Sequence, residues 1–237
     1  MENLSSDPDQ DYFAEGMTDA LVADLGNISA LRVISRTSVM QYKNARRSLP
    51  EIARALNVDG LIEGSVTRQG DRVRITAQLF QTKPERRVWG ETYERDLKDL
   101  LSLQREVARV IASEIRVNLT TQEQAHLATA VSINPEAHEA YLKGRYFWNK
   151  RTAEGLKKGL EYFNRAIDKD PTYAAAYSGL ADVYVGMGDY GLMPRKEAYA
   201  RSKAAAVKAV EMDDRLAEVH ATLGSIAQFN WNWPEAQ

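Results

Sequence analysis

Three histidines, His126, His138 and His220, are the residues most able to ligate a metal or act as a general base, and cysteine is absent. None stands in His-Glu-x-x-His or another spacing that puts two ligands on one helical face. His138-Glu139 is an isolated pair and reads as solvated helix surface. Glu63, between Ile62 and Gly64, could do acid or base work only beside a second carboxylate at a defined separation. No candidate partner is evident, so it reads as an exposed-face charge or half of an ion pair. Neither Gly-x-x-x-x-Gly-Lys-Ser/Thr nor Gly-x-Gly-x-x-Gly occurs, and Gly186-Met187-Gly188 is followed by no phosphate-binding lysine. Asn3-Leu4-Ser5 and Asn118-Leu119-Thr120 match glycosylation acceptors by chance. Arg68, Arg72 and Arg74 flank a predicted hairpin on one face, either as a solvated sheet face or as a dock for an anionic ligand or partner. Arg46-Arg47 and Arg86-Arg87 read as solvated loop pairs. These residues predict a chain that is not an enzyme and holds no cofactor or metal.

The bulk properties narrow the field further. The 237 residues fit one large domain or two small ones. Hydrophobic residues at 44% and charged residues at 27% describe a globular chain. A net charge of -2 supplies no cationic surplus to neutralise phosphates, so direct nucleic-acid binding is not expected. Without cysteine there are no disulfides and no thiol catalysis. No apolar run approaches the roughly 20 residues that span a bilayer, and the polar start is no signal peptide. The compartment is left open, with the cytoplasm favoured over the periplasm.

The periodicities predict the elements that would position a site. Residues 1–10 read as loop. Phe13, Met17, Leu21 and Leu25 recur at spacing four, one stripe of a helix closed by Gly26-Asn27, with Gly16 at a close packing contact. Leu31–Ile34 reads as a short strand. Pro50 opens a helix that carries Ile52, Ala53 and Leu56 and ends at Asn57. Val73, Ile75, Ala77 and Leu79 alternate with polar residues, the period of a half-buried strand. Gly70-Asp71 is its hairpin turn, and Val88–Tyr93 is a third strand after Lys83-Pro84. A long helix from Leu97 carries Leu100, Leu103, Val107, Val110, Ile111 and Ile115 and fades near Thr120. Helices on a small mixed sheet follow from this order. After Asn134-Pro135 only helical, alanine-rich sequence remains, so the fold class is α+β: a small α/β domain over residues 1–125, then helical hairpins over 134–237.

The second half carries a repeat. Phe163, Ala166 and Asp170-Pro171 close one helix; Tyr177, Leu180-Ala181 and Tyr184 open the next. The phase returns at Ala206, Ala209 and Asp213-Asp214, and again at Leu223-Gly224, with an extra loop from Gly186 to Pro194. An earlier helix over 140–148 pairs with one over 159–169. This pattern resembles a tetratricopeptide repeat: two hairpins and a third cut off at Gln237. Such arrays bind proteins on the concave face lined by the first helix of each repeat. The residues implied there are Arg145, Trp148, Asn149, Tyr177, Asp182 and Tyr184. The pattern that clamps a C-terminal carboxylate is not evident.

The first half is similar to a second family. Glu2–Ser5, Tyr12–Thr18, Glu63–Val66 and Arg72–Leu79, continued by Trp89, Tyr93, Asp96-Leu97 and Leu103-Gln104, resemble the TolB-amino-terminal-like (FlgO-like) α/β domain that precedes tetratricopeptide arrays in bacterial signalling proteins. Relatives carry an effector upstream: a winged helix (CadC-like regulators), a class III nucleotide cyclase or a Ser/Thr kinase. The family has an apolar strand just before the segment matching Glu2–Leu4, where this chain has Met1, so the sheet is expected to lack one strand. The chain therefore reads as part of a longer protein, self-associating or frayed past Asn230. The resemblances imply a sensory and interaction region of a signalling or transcription-regulatory protein that binds a protein partner or itself through the repeats, without inserting into a membrane. The alternative is the accessory region of a cyclase or kinase.

Overall fold

The computed structural model describes residues 1–5, 10–43, 47–128 and 133–229. The chain forms two compact units, residues 1–132 and 133–237. The class is α+β, a four-stranded mixed sheet with helices followed by a helical region.

The first unit begins with β1 (Glu2–Asn3), α1 (Asp11–Gly26), α2 (Arg36–Met40) and α3 (Leu49–Leu56). Strands β2 (Gly60–Gln69), β3 (Arg72–Thr82) and β4 (Glu85–Asp96) follow, then a 3-10 turn over Leu97–Asp99, α4 (Leu100–Glu114) and α5 (Thr121–Ala128). The sheet order is β1-β2-β3-β4, with β1 parallel and the other pairs antiparallel. Val73, Ile75, Ala77 and Leu79 are buried as their alternation requires. The Gly70-Asp71 connection has two residues, with Gly70 at φ 60°, the positive value that tight hairpin turns need. Phe13, Met17, Leu21 and Leu25 of α1 are buried, as are Leu100, Leu103, Val107 and Ile111 of α4. Burying each such side chain contributes about 1.5–3 kcal/mol. Where α1 meets α4, the buried Gln104 Nε2 donates to Met17 Sδ at 3.0 Å. Ser48 and Glu51 form a capping box on α3, and Asn57 ends it in the left-handed region at φ 52°.

Several sequence expectations are corrected here. Residues 1–5 are not plain loop: Glu2 and Asn3 pair with Ser65 and Val66, and Leu4 N donates to Val66 O at 2.9 Å. These first residues form one edge of the sheet, beside β2. Leu31–Ile34 joins no ladder among the described residues. Instead Leu31 N turns back to Ile28 O, and Arg32 reaches Asn57 O at 2.7 Å. Arg86 and Arg87 lie in β4, opposite Gln81 and Phe80, and not in a loop. Arg68 does not share a face with Arg72 and Arg74. It stands opposite Val73 on the helix-covered side and donates to Tyr12 Oη at 2.8 Å, whereas Arg72 and Arg74 pair with Glu94 on the other side. Glu63 is exposed, opposite Gln78. Helix α4 ends at Glu114, leaving Ile115 outside it and 37% exposed.

The second unit contains α6 (Pro135–Asn149), α7 (Ala153–Lys169), α8 (Ala174–Asp189), α9 (Arg195–Met212) and α10 (Ala217–Phe229). Helix α6 packs on α7, α8 on α7 and α9, and α10 on α9 and α8. Helix α8 runs on to Asp189, so the connection to α9 is shorter than the Gly186–Pro194 loop expected. The Asp-Pro punctuation has a physical basis. A residue before proline is driven out of the helical region, and Asp170 ends α7 at φ -147°, ψ 92°. Its carboxylate accepts from Thr172 N and Asn134 N. Asp213 ends α9 in nearly the same conformation, φ -151°, ψ 102°, and accepts from Arg215 N. The Asx turn thus reproduces the corner where proline is absent. Close helix approach is set by glycine: a Cβ on Gly144 would stand 2.7 Å from the ring of the fully buried Phe163, and one on Gly179 would run into the same ring. The segment from Asn230 to Gln237, with its expected fraying, lies outside the described residues, as does Arg46.

Candidate partner-binding site

The first helices of the hairpins bring three polar side chains into one chain of contacts. Arg145 on α6 lies with Nη1 3.7 Å from Asp182 Oδ2 on α8. Thr222 on α10 donates its hydroxyl to Asp182 Oδ1 at 2.6 Å. The Arg145 and Asp182 side chains are 17% and 14% exposed. Burial pushes the Asp182 carboxyl above its ordinary value, while Arg145 and Thr222 pull it back. Trp148, one turn beyond Arg145, has the Arg145 guanidinium 4.9 Å and the Arg151 guanidinium 3.7 Å from its ring centroid. Its indole Nε1 is buried with no hydrogen-bond partner among the described residues. Asn149 ends α6, half-buried.

Of the six residues singled out from the sequence, the structure joins Arg145, Trp148 and Asp182. Tyr177 and Tyr184 sit on another side of α8, toward α9. Tyr177 is 5% exposed with Lys208 Nζ 4.5 Å from its ring, and Arg201 lies 5.9 Å from the Tyr184 ring. Sequence reasoning did not reach Thr222 or Arg151. Arg151 holds its position over Trp148 by adopting φ 51° just after α6, a backbone state that nothing in Asn149-Lys150-Arg151 announces.

His138 corrects another expectation. It is not solvated helix surface but 5% exposed, with Nδ1 2.8 Å from Tyr173 Oη. Its ring lies beside those of Tyr141 and Tyr173, which pack into an apolar cluster with Ala137, Ala140 and Ala176. Burial lowers its pKa to about 4 from the ordinary 6.5. Between those values the unfolded chain takes up a proton and the folded chain does not. The contribution is therefore complete above about pH 6.5 and lost as pH falls toward 4, on the order of 3 kcal/mol in all. Urea unfolding at pH 7 and pH 4.5 is expected to show wild type losing about 2 kcal/mol more than His138→Gln. Equal losses would refute the neutral buried imidazole.

Among the described residues no group of three His, Cys, Asp or Glu is placed to hold a metal ion, and no helix is long and apolar enough to cross a membrane. No family model matches the chain. It is 34% identical over 180 residues, 76% of its length, to the protein named "Putative adenylate cyclase 3" of Rhizobium meliloti, of which the match covers 31%. It is 29% identical over 86 residues, 36% of its length, to "Transcriptional regulator HilA" of Salmonella typhimurium and of Salmonella typhi, covering 16% of each. The chain thus spans less than a third of the length of these relatives. Its similarities lie with bacterial signalling and regulatory proteins.

Proposed function

We propose that this chain is a non-catalytic sensory and protein-interaction region of a bacterial signalling or transcription-regulatory protein, acting in the cytoplasm. In this reading residues 1–125 are a TolB-amino-terminal-like domain and residues 134–237 a tetratricopeptide array. The observation that carries it is the polar chain Arg145–Asp182–Thr222 along three successive first helices, beside a tryptophan flanked by two guanidiniums. Tryptophan and arginine, half-buried on a rigid frame, are the residue types that dominate binding energy at protein interfaces. Arg145, Trp148, Asn149 and Asp182 would face the partner, and Tyr177 and Tyr184 would brace α8 from behind.

Matches to a protein named as a cyclase and to a transcriptional regulator also support this, since sequence shared with proteins of different output is suited to an accessory role. The longer cyclase match favours a second reading: the accessory region of a nucleotide cyclase whose catalytic domain lies elsewhere. Both readings expect the chain incubated with ATP or GTP and Mg²⁺ or Mn²⁺ to form no cyclic nucleotide. Turnover by the purified chain, abolished by no contaminant control, would overturn both.

A further inference from the structure

The two edges of the sheet differ. β1 offers two residues, too few to template another strand, while β4 offers twelve. Among the described residues β4 pairs with β3 alone. An edge strand leaves half its backbone donors and acceptors without ladder partners, so it adds a further strand readily unless it is blocked. Gly90, Glu91, Thr92, Glu94 and Arg95 are all exposed among the described residues of the first unit, so that unit leaves this edge open to approach.

We propose that β4 is a self-recognition edge, through which two copies of this chain pair antiparallel about a twofold axis at Tyr93. The register follows from two observations. Val88 is an extra residue between the pairs Leu79–Trp89 and Phe80–Arg87, and such a bulge breaks the pleat. Regular pairing is therefore confined to residues 89–96, and a twofold axis must fall at their middle, on Thr92 or Tyr93. An axis on Thr92 sets Glu91 against Tyr93 and Gly90 against Glu94, with no charge pair. An axis on Tyr93 sets Glu91 against Arg95 twice, once on each side. Directly opposed residues on one sheet face lie about 5 Å apart at Cβ and gain from opposite charge.

Glu91 and Arg95 share the face of Trp89 and Tyr93, opposite Ala77 and Val73 of β3. Arg95 is already positioned there, 3.5 Å from Glu106 of α4 and 6.0 Å from the Tyr93 ring centroid. On the same register Glu94 stands against Thr92 and Asp96 against Gly90, so no two like charges are directly opposed. The partner is a second copy because the pattern is complementary to itself, as an isologous interface requires.

The test is light scattering of the purified chain over roughly 1–200 µM, a range that covers weak self-association. The expected result is a dimer weakened about tenfold by Glu91→Arg and by Arg95→Glu, and restored in Glu91→Arg/Arg95→Glu, with circular dichroism showing each variant folded. The chain has no cysteine of its own, so Thr92→Cys/Glu94→Cys gives an independent reading. Cα atoms opposed at about 5 Å fall within disulfide range, and oxidation should yield a covalent dimer. A wild-type monomer throughout the range overturns the proposal, as does a dimer that ignores both single charge reversals and yields no cross-link. Neither outcome bears on partner binding by the helical unit.

Discussion

Gly179→Ala is expected to destabilise the helical unit by about 2–3 kcal/mol, the cost of forcing a methyl group into a filled core. Propensity alone gives the opposite sign, since alanine in a helix interior is favoured over glycine by about 1 kcal/mol. Packing decides the outcome. Phe163 is fully buried, and its ring lies between Gly144 on α6 and Gly179 on α8. A Cβ at either position would stand closer to the ring than carbon atoms tolerate. Gly144→Ala should behave alike, with its Cβ 2.7 Å from Cδ1 and Cε1. Phe163→Leu removes the obstructing atoms, so Gly179→Ala/Phe163→Leu should cost less than the sum of its parts by about 1 kcal/mol or more. Urea midpoints read from helical circular dichroism measure all four chains. A neutral or stabilising Gly179→Ala would show that Phe163 is not wedged between these helices.

Asp182→Leu is expected to cost about 3 kcal/mol, because it removes the carboxylate facing the mostly buried Arg145 guanidinium and leaves the Thr222 hydroxyl only the backbone Glu218 O, at 3.0 Å, of its two acceptors. Arg145→Met should cost a similar amount by leaving the carboxylate with the Thr222 hydroxyl and the weaker pull of the Arg151 charge. Arg145→Met/Asp182→Leu replaces both charges by apolar volume and should come within about 1 kcal/mol of wild type, as buried pairs often do. Thr222→Val should cost about 1.5 kcal/mol, the scale of a hydrogen bond to a charged acceptor. Denaturation of the single and double variants closes the cycle. Additivity within about 0.5 kcal/mol would mean that the two charges do not interact. The cycle also bears on binding: if this polar chain exists for a partner, the apolar double variant should fold and fail to bind.

Much of this architecture is legible in the residues. The alternation through Val73–Leu79 fixes β3, and the spacing of Phe13, Met17, Leu21 and Leu25 fixes the buried face of α1. Other parts depend on tertiary context. β1 is two residues long and carries no period, so only its pairing with Ser65 and Val66 reveals it. Leu31–Ile34 has a strand's composition, but three apolar residues in four do not separate a strand from a packed connection. The side of Arg68 was available in principle. A two-residue turn at Gly70-Asp71 sets Gln69 against Arg72, and so Arg68 against Val73. The polarity of His138 alone points to solvent, although Ala137, Ala140 and Tyr141 beside it trace a buried face. At the candidate site the types on α6 and α8 were legible, but the meeting of Arg145, Asp182 and Thr222 depends on how three helices separated by whole hairpins stack.

The central claim is that the first-helix face around Trp148 and Asn149 holds a protein partner, and site-specific photo-crosslinking tests it most directly. A photoreactive residue at Asn149 or at the exposed Lys157 of α7 would be introduced into the protein in bacterial cells that express it natively. A discrete cross-linked protein species from position 149, absent from position 157 and lost in Arg145→Met/Asp182→Leu, is the predicted result. Equal labelling from both positions, or no protein adduct at 149 while the chain remains folded and abundant, would contradict it.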